Sequence, residues 1–310
     1  MSRFVFISLC LLLAATPLSA EPRVFVDDLG DTLRWDRAPE RIVSLSPSIT
    51  ETLFAIGIGG GDEGQRLVGV TRFCDEPPAA RSIPSVGGIV DPSLESIRSV
   101  EPDLVITTRG NLKPFFEALR DLGIPMYAVE TDGGLRPLLE GMRRLGHALG
   151  RPEASDALVD GLEARLDRLE RATGSIPADE RPRVYYGSLE PPLWTAGPGS
   201  MIDDVIRAAG GVNVASDSPT AWAIYSLERI VAADPQVYLG TFAPGGYEED
   251  RKRALRLLSG GTGWKDTQAG RTGRLCLIDE NLLLRPGPRI ISAAEDVARC
   301  LVPEWEGAGR

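Results

Sequence analysis

The chain has 310 residues, 43% hydrophobic and 25% charged, which is globular composition with length for two domains of ordinary size. Its formal net charge of −10 argues against nucleic acid and against an anionic membrane surface as partners. A single histidine, His147, weighs against a histidine-rich metal site and against a Ser-His-Asp hydrolase.

Residues 1–20 read as a secretory signal. Arg3 supplies the positive start, Phe4 to Ala15 the apolar stretch, and Leu18-Ser19-Ala20 a small-residue cleavage site before Glu21. The apolar run is short of the roughly 20 residues that span a bilayer, so cleavage after Ala20 is expected, with export of the mature chain. Cys10 lies too early, behind Leu9, for a lipoprotein signal. The rest of the chain holds no stretch able to span a membrane.

Arg23 to Trp35 predicts a β-hairpin turning at Asp28-Leu29-Gly30-Asp31. A strand at Arg41–Leu45 follows, then Ser48-Ile49-Thr50-Glu51 as a capping box opening a helix, then a strand at Leu67–Val70. Gly59, Gly61 and Gly64 match G-x-G-x-x-G, but after a helix and before a strand, the reverse of a phosphate-binding loop. Thr71 to Pro78 reads as a loop, because its two prolines lack donors.

Ser93-Leu94-Glu95-Ser96-Ile97 then opens a stretch that occurs twice, the second time as Ser226-Leu227-Glu228-Arg229-Ile230. Each copy predicts a short helix with an acid in its first turn, a stop at Pro102 or Pro235, and a buried strand. Helix dipole stabilisation of about 0.3–1 kcal/mol accounts for either glutamate alone, but not for the shared context. Between the copies come a helix at Leu112–Leu122, a strand at Pro125–Val129, a helix at Leu135–Leu149, and the longest helical pattern of the chain, Pro152–Ala172. After the linker Ser175–Pro182 the second half restates the first: strand Arg183–Tyr186, helix from Ser200 to Ala209, the second copy, a helix through Arg251–Leu258, strand Leu275–Ile278 and helix Arg289–Leu301. The fold class is α/β, with two Rossmann-like lobes around parallel sheets, joined by one long helix. The boundaries read as a signal at 1–20, lobes at 21–150 and 176–310, and the linking helix at 151–175.

Cys74, Cys276 and Cys300 remain after the signal, and an exported protein permits disulfides. Three cysteines permit three pairings. Cys276 on a strand and Cys300 near the end of the last helix form the candidate pair, against the alternative that both are small buried hydrophobes; Cys74 is then the leftover thiol. Phe73, Trp194 and Trp222 fall in predicted loops of the two lobes, where open α/β sheets bind ligands.

Five stretches carry a likeness: Ile42-Val43-Ser44-Leu45-Ser46-Pro47-Ser48-Ile49-Thr50-Glu51, Cys74-Asp75-Glu76-Pro77-Pro78, Val86-Gly87-Gly88 leading to Ser93-Leu94-Glu95, Trp194-Thr195-Ala196-Gly197, and Arg285-Pro286-Gly287-Pro288-Arg289. In these the chain resembles the periplasmic solute-binding proteins of ABC importers for iron chelates and cobalamin. The resemblance implies a two-lobed, monomeric protein with little flexing, no cofactor and no catalytic residue, which holds a small-molecule chelate between its lobes. It further implies that Glu95 and Glu228, one on each lobe, dock basic residues of a permease dimer. The pattern is most similar to the cobalamin binders, in which Phe73, Trp194, Trp222 and Arg285 would line a corrin cleft, with Ile89 and Arg109 nearby. Ile89 departs from that pattern, since some cobalamin binders carry Trp there. Cys74 lies in a loop that the family turns toward the cleft. Haem, with an axial ligand from Tyr185, Tyr186 or Tyr225, or an anionic ferric siderophore held by Arg72, Arg109 and Arg285, is the alternative ligand. An exported α/β enzyme is the alternative of another class, and it would need a nucleophile–base pair that the sequence does not offer.

Overall fold

The computed structural model describes residues 23–60, 65–109 and 113–302. The signal segment, Gly61, Gly64 and Leu112 lie outside them. The chain opens with a hairpin, β1 (Arg23–Val26) and β2 (Thr32–Trp35), paired antiparallel with Arg23 opposite Trp35. The first lobe then runs β3 (Ile42–Ser44), α1 (Pro47–Ala55), β4 (Leu67–Val70), α2 (Leu94–Ser99), β5 (Leu104–Thr108), α3 (Lys113–Asp121), β6 (Met126–Val129) and α4 (Leu135–Ala148). The helix α5 (Pro152–Gly174) follows.

The second lobe runs β7 (Arg183–Tyr186), β8 (Trp194–Ala196), α6 (Met201–Ala208), β9 (Val212–Asn213), β10 (Trp222–Ile224), α7 (Leu227–Ala233) and β11 (Val237–Phe242). It closes with α8 (Tyr247–Gly260), α9 (Gln268–Thr272), β12 (Leu275–Asp279), α10 (Glu280–Leu283) and α11 (Ile290–Leu301).

The two lobes share one topology. The first sheet has the order β4-β3-β5-β6 and the second β9-β7-β11-β12, with every neighbouring pair parallel. In each, the second strand in sequence lies outside the first, and the third and fourth lie on the other side. The repeated stretch is therefore a structural repeat. Ser93 Oγ accepts from Ser96 N at 3.2 Å, and Ser226 Oγ accepts from Arg229 N at 3.3 Å, so each serine caps its helix.

The likeness runs past the quoted letters. Glu101 (φ 46°) and Asp234 (φ 44°) are the non-glycine residues in the left-handed region among those described, and each stands just before the proline that ends its copy. In each lobe an arginine at the start of the first strand, Arg41 just before β3 and Arg183 opening β7, ties down the spent helix. Arg41 donates to the carbonyls of Val100 and Glu101, and Arg183 to those of Ala233 and Asp234. These bonds satisfy carbonyls that a helix end leaves without partners.

One core lies in the first lobe around Ile42, Leu53, Leu67, Leu104 and Ile106. Another lies in the second lobe around Val184, Val205, Leu239, Ile290 and Val297. The α4–α5 pair is shared between them. Leu135, Leu138, Leu139 and Met142 of α4 join the second core, as do Val159, Leu162, Leu166 and Leu169 of α5. Leu145 and Ala148, farther along α4, join the first, and Leu158 packs against both. The expected long helix does join the lobes, with α4 alongside it. Fully burying an aliphatic side chain stabilises by about 1.5–3 kcal/mol, so these rows resist separation of the lobes. Charges reinforce the pair: Arg143 of α4 meets Asp156, Asp160 and Glu163 of α5 at 3.0, 3.0 and 3.2 Å. The lone histidine is part of this surface, with His147 Nε2 lying 2.9 Å from Asp156 Oδ1.

The region predicted as a capping box is built differently. Ser46 is the N-cap of α1, Pro47 opens the helix, and no side chain caps it. Proline supplies the first turn without needing a donor, which moves the helix start upstream of Ser48. Glu51 is thereby inside the helix and 5% exposed.

Candidate functional site

In parallel α/β sheets the crevice for ligand lies beyond the carboxyl ends of the strands, where connections part to either side. In the first lobe those ends lead to Ser46-Pro47 after β3, Thr71 to Pro78 after β4, Arg109 after β5 and Glu130 after β6. In the second lobe they lead to Gly187 after β7 and to Glu280–Arg289 after β12. Phe73, Cys74, Arg109 and Arg285 all belong to these segments.

The turn Arg285-Pro286-Gly287-Pro288-Arg289 brings the two sets of strand ends against each other. Arg285 Nη1 donates to Asp75 Oδ1 at 2.5 Å, and Arg289 donates to both oxygens of Glu51, Nε at 2.7 Å and Nη2 at 2.6 Å. Between the two arginines, Gly287 lies against α1 so closely that a Cβ there would stand 3.2 Å from the Ser48 Cα and backbone oxygen. Burial pushes the Glu51 carboxyl up, against the pull of Arg289. Burial works in the same direction on Asp75, but the hydrogen bond and charge of Arg285 outweigh it and hold that carboxyl below its ordinary range. Glu51, Asp75 and Arg289 escaped the sequence reading as lobe-bridging groups. The one signal for them was the placement of two arginines around a proline–glycine turn.

The tryptophans do not lie in loops. Trp194 opens β8 and Trp222 opens β10, and these strands pair antiparallel with Trp222 opposite Ala196 and Ile224 opposite Trp194. Residues paired across a ribbon, and every second residue along it, share a face. Trp194, Trp222 and Ile224 therefore stand together, 48%, 45% and 57% exposed, while Thr195 on the other face is buried. Ile224 is the member that sequence reasoning missed, although the alternation Trp222-Ala223-Ile224 is a strand signal. The short ribbon escaped because prolines and glycines surround it.

In the first lobe, Phe73 is exposed and carries the Arg72 guanidinium 4.8 Å from its ring centroid. Arg72 also pairs with Asp91 at 2.9 Å. Ile89 is half-buried beside the exposed Val90. Arg109 is exposed and pairs with Glu130 at 2.8 Å.

Cys74 is placed differently from an open cleft ligand. Its side chain is buried, and its sulfur accepts from Thr50 Oγ1 at 3.1 Å and lies 3.2 Å from Thr71 Oγ1. Burial pushes its thiol above the ordinary value. Contact with a ligand would require the sulfur to leave these partners. The tyrosines are likewise engaged: Tyr185 donates to the Ser188 carbonyl at 2.8 Å, Tyr225 to Asp217 at 2.5 Å, and burial pushes Tyr186 up to about 12.

Glu95 and Glu228 both point to solvent from the first turns of α2 and α7. Neither carboxylate has a basic partner among the described residues. Backbone donors at the start of α7 and the Ser226 side chain hold Glu228 below its usual range. Cys276 and Cys300 are joined by a disulfide, with Cα atoms 5.6 Å apart, and Cys74 is the free thiol.

A broad groove lined by Trp35, Phe116 and Met126 lies at the amino end of β6, away from all of these residues. Among the described residues, no cluster of histidine, cysteine or carboxylate groups is arranged to hold a metal ion, and no helix is long and apolar enough to cross a membrane.

The profile of the family described as periplasmic binding protein matches residues 42–282. A cobalamin-binding protein of Halobacterium salinarum is 29% identical over 273 residues, covering 86% of this chain and 70% of its own. The solved vitamin B12-binding protein BtuF of Vibrio cholerae is 27% identical with a TM-score of 0.69, covering 85% of this chain and 97% of its own. The solved apo heme-binding protein RhuT of Roseiflexus is 29% identical with a TM-score of 0.72, covering 86% of this chain and 99% of its own.

Proposed function

From the premise that this chain belongs to the periplasmic binding protein family, we propose that it captures a corrinoid of the cobalamin type and delivers it to the permease of an ABC importer. The observation that carries this reading is the exposed apolar face of Trp194, Trp222 and Ile224 at the carboxyl end of the second lobe, with Phe73 at the same end of the first. A corrin ring is a broad, largely apolar plate with polar amides on its rim. Such a plate stacks on aromatic and branched side chains while a few polar groups fix its orientation. Ile89, Arg109 and Arg285 complete the proposed lining. The lobes are residues 21–150 and 176–310, joined through 151–175, and the protein works as a monomer in the periplasm after cleavage at Ala20.

Delivery is assigned to Glu95 and Glu228. A protein with one exposed acid at the same place on each of two like lobes presents matched charges to a twofold permease dimer. The protein performs no chemistry. Isothermal titration with cyanocobalamin, cobinamide and hemin side by side tests the ligand: binding of neither corrinoid overturns the reading. Replacing both glutamates by arginine tests delivery, which should fail while ligand affinity persists.

Haem is the second reading, supported by the likeness to a heme-binding structure. Against it stand Tyr185 and Tyr225, whose hydroxyls are spent on Ser188 and Asp217, and Tyr186, which packs partly buried against the second core. An axial ligand from them would have to give up those partners.

A further inference from the structure

Each arginine that the candidate cleft offers to a ligand already holds an acid. Arg72 pairs with Asp91 at 2.9 Å, Arg109 with Glu130 at 2.8 Å, and Arg285 with Asp75 at 2.5 Å. All three pairs lie beyond the carboxyl ends of parallel strands, after β4, β5 and β12. They are positioned from several sides. The second oxygen of Glu130 accepts from the backbone of Thr131 and Asp132 at 3.0 Å each. Gly88 packs so closely on the first pair that a Cβ there would meet Asp91 Oδ1 at 2.0 Å and Arg72 Nη2 at 2.7 Å. Glu76, close to Glu51, and Asp132, close to Glu130, add negative charge along this edge, while Arg81 adds one positive charge near Asp75.

We propose that Asp91, Glu130 and Asp75 are specificity determinants, which occupy the three arginines and so reject chelates of net negative charge while admitting a neutral one. The proposal rests on the reading of these strand ends as the ligand cleft. An anionic ligand, such as haem with its two propionates, must open a pair to reach a guanidinium. The displaced acid is tethered beside the site and then faces the ligand's own anion. Repulsion of a wrong ligand is as effective a source of selectivity as attraction of the right one. A neutral, amide-rimmed corrinoid needs no pair opened, and its amides can bond to the lone pairs and protons that the ion pairs leave free.

The test compares the full exported chain with the variant Asp91→Asn/Glu130→Gln, and with the triple variant that adds Asp75→Asn. Cyanocobalamin and hemin are titrated into each. The ratio of the two dissociation constants should shift toward hemin by about threefold in the double variant and about tenfold in the triple, as expected for partly exposed charges. The shift should shrink with added salt, because exposed charges are screened, which a merely structural effect of the substitutions would not do. An unchanged ratio, or a shift toward cyanocobalamin, overturns the proposal. If Asp75→Asn prevents folding, the double variant decides alone. The ranking of the two ligands in the unaltered chain tests the corrinoid reading, whereas the change of ratio tests the acids, so the two failures are distinguishable.

Discussion

Arg289 grips Glu51 across the junction of the lobes with two hydrogen bonds, 2.7 and 2.6 Å long, although Glu51 is 5% exposed. A buried pair of this kind adds little over an apolar contact, but breaking it strands a charge. Arg289→Ala should therefore lower the stability by about 3 kcal/mol, since it leaves Glu51 without its partner. The double replacement Glu51→Leu/Arg289→Met should recover most of that loss. Denaturant unfolding of the three proteins measures both effects, and equal losses in the single and double variants would contradict this account.

The Asp75–Arg285 pair predicts a dependence on acid. Against burial, Arg285 holds the carboxyl of Asp75 below its ordinary value of 3.8, so its native state keeps the charge to lower pH than the unfolded chain does. Its contribution is present above that value and is lost as pH falls through the lower native value. The stability difference between the unaltered protein and Asp75→Asn should be constant near neutral pH and vanish as the solution is acidified below about pH 4. A difference that persists at the lowest pH would show that the pair acts through something other than charge.

Glu101 and Asp234 share a left-handed backbone but not a role. Glu101 is exposed, whereas Asp234 accepts from Gln268 N at 2.7 Å and pairs with Arg183 at 3.3 Å. Glycine adopts this conformation without the steric cost of a Cβ. Glu101→Gly should stabilise by about 0.5–1 kcal/mol, while Asp234→Gly should be neutral or destabilising because it removes these bonds. Thermal unfolding of both variants distinguishes the two positions.

The disulfide between Cys276 and Cys300 closes a separation of 24 residues between β12 and the end of α11. Replacing both by alanine should lower stability by about 2–4 kcal/mol. Mass measurement before and after reduction reports the bond in the purified protein, and an unchanged unfolding midpoint after reduction would count against its structural weight.

The ribbon makes a prediction for binding. Trp194→Ala and Trp222→Ala should each weaken corrinoid binding by about 1–2 kcal/mol, a five- to thirtyfold change, and Ile224→Ser by less. Full affinity in the Trp194→Ala/Trp222→Ala double variant would place the ligand elsewhere.

Much of this protein was legible in its order of residues. The alternation of strand and helix, the hairpin at Arg23–Trp35, the long helix from Pro152 and the two S-L-E helices all appear where local pattern puts them. Each depends on signals within a few residues: apolar spacing, a serine N-cap, a proline stop. The doubled stretch even announces that the lobes are alike. Local signals also misled at Ser48–Glu51, where Pro47 had already opened the helix, and at Trp194 and Trp222, whose short strands pair with each other across 28 positions of sequence.

What the sequence by itself determined, then, is the two-lobed α/β plan and the pair of exposed glutamates, because helix starts and strand faces follow from short-range chemistry. Tertiary structure alone decided which charges meet. Asp75 and Arg285 are separated by 210 positions, and Glu51 and Arg289 by 238. Nothing in a neighbouring residue tells an arginine which carboxylate it will face. That choice belongs to the packing of α4 and α5 into both cores, which sets Arg285 and Arg289 of the second lobe against Asp75 and Glu51 of the first.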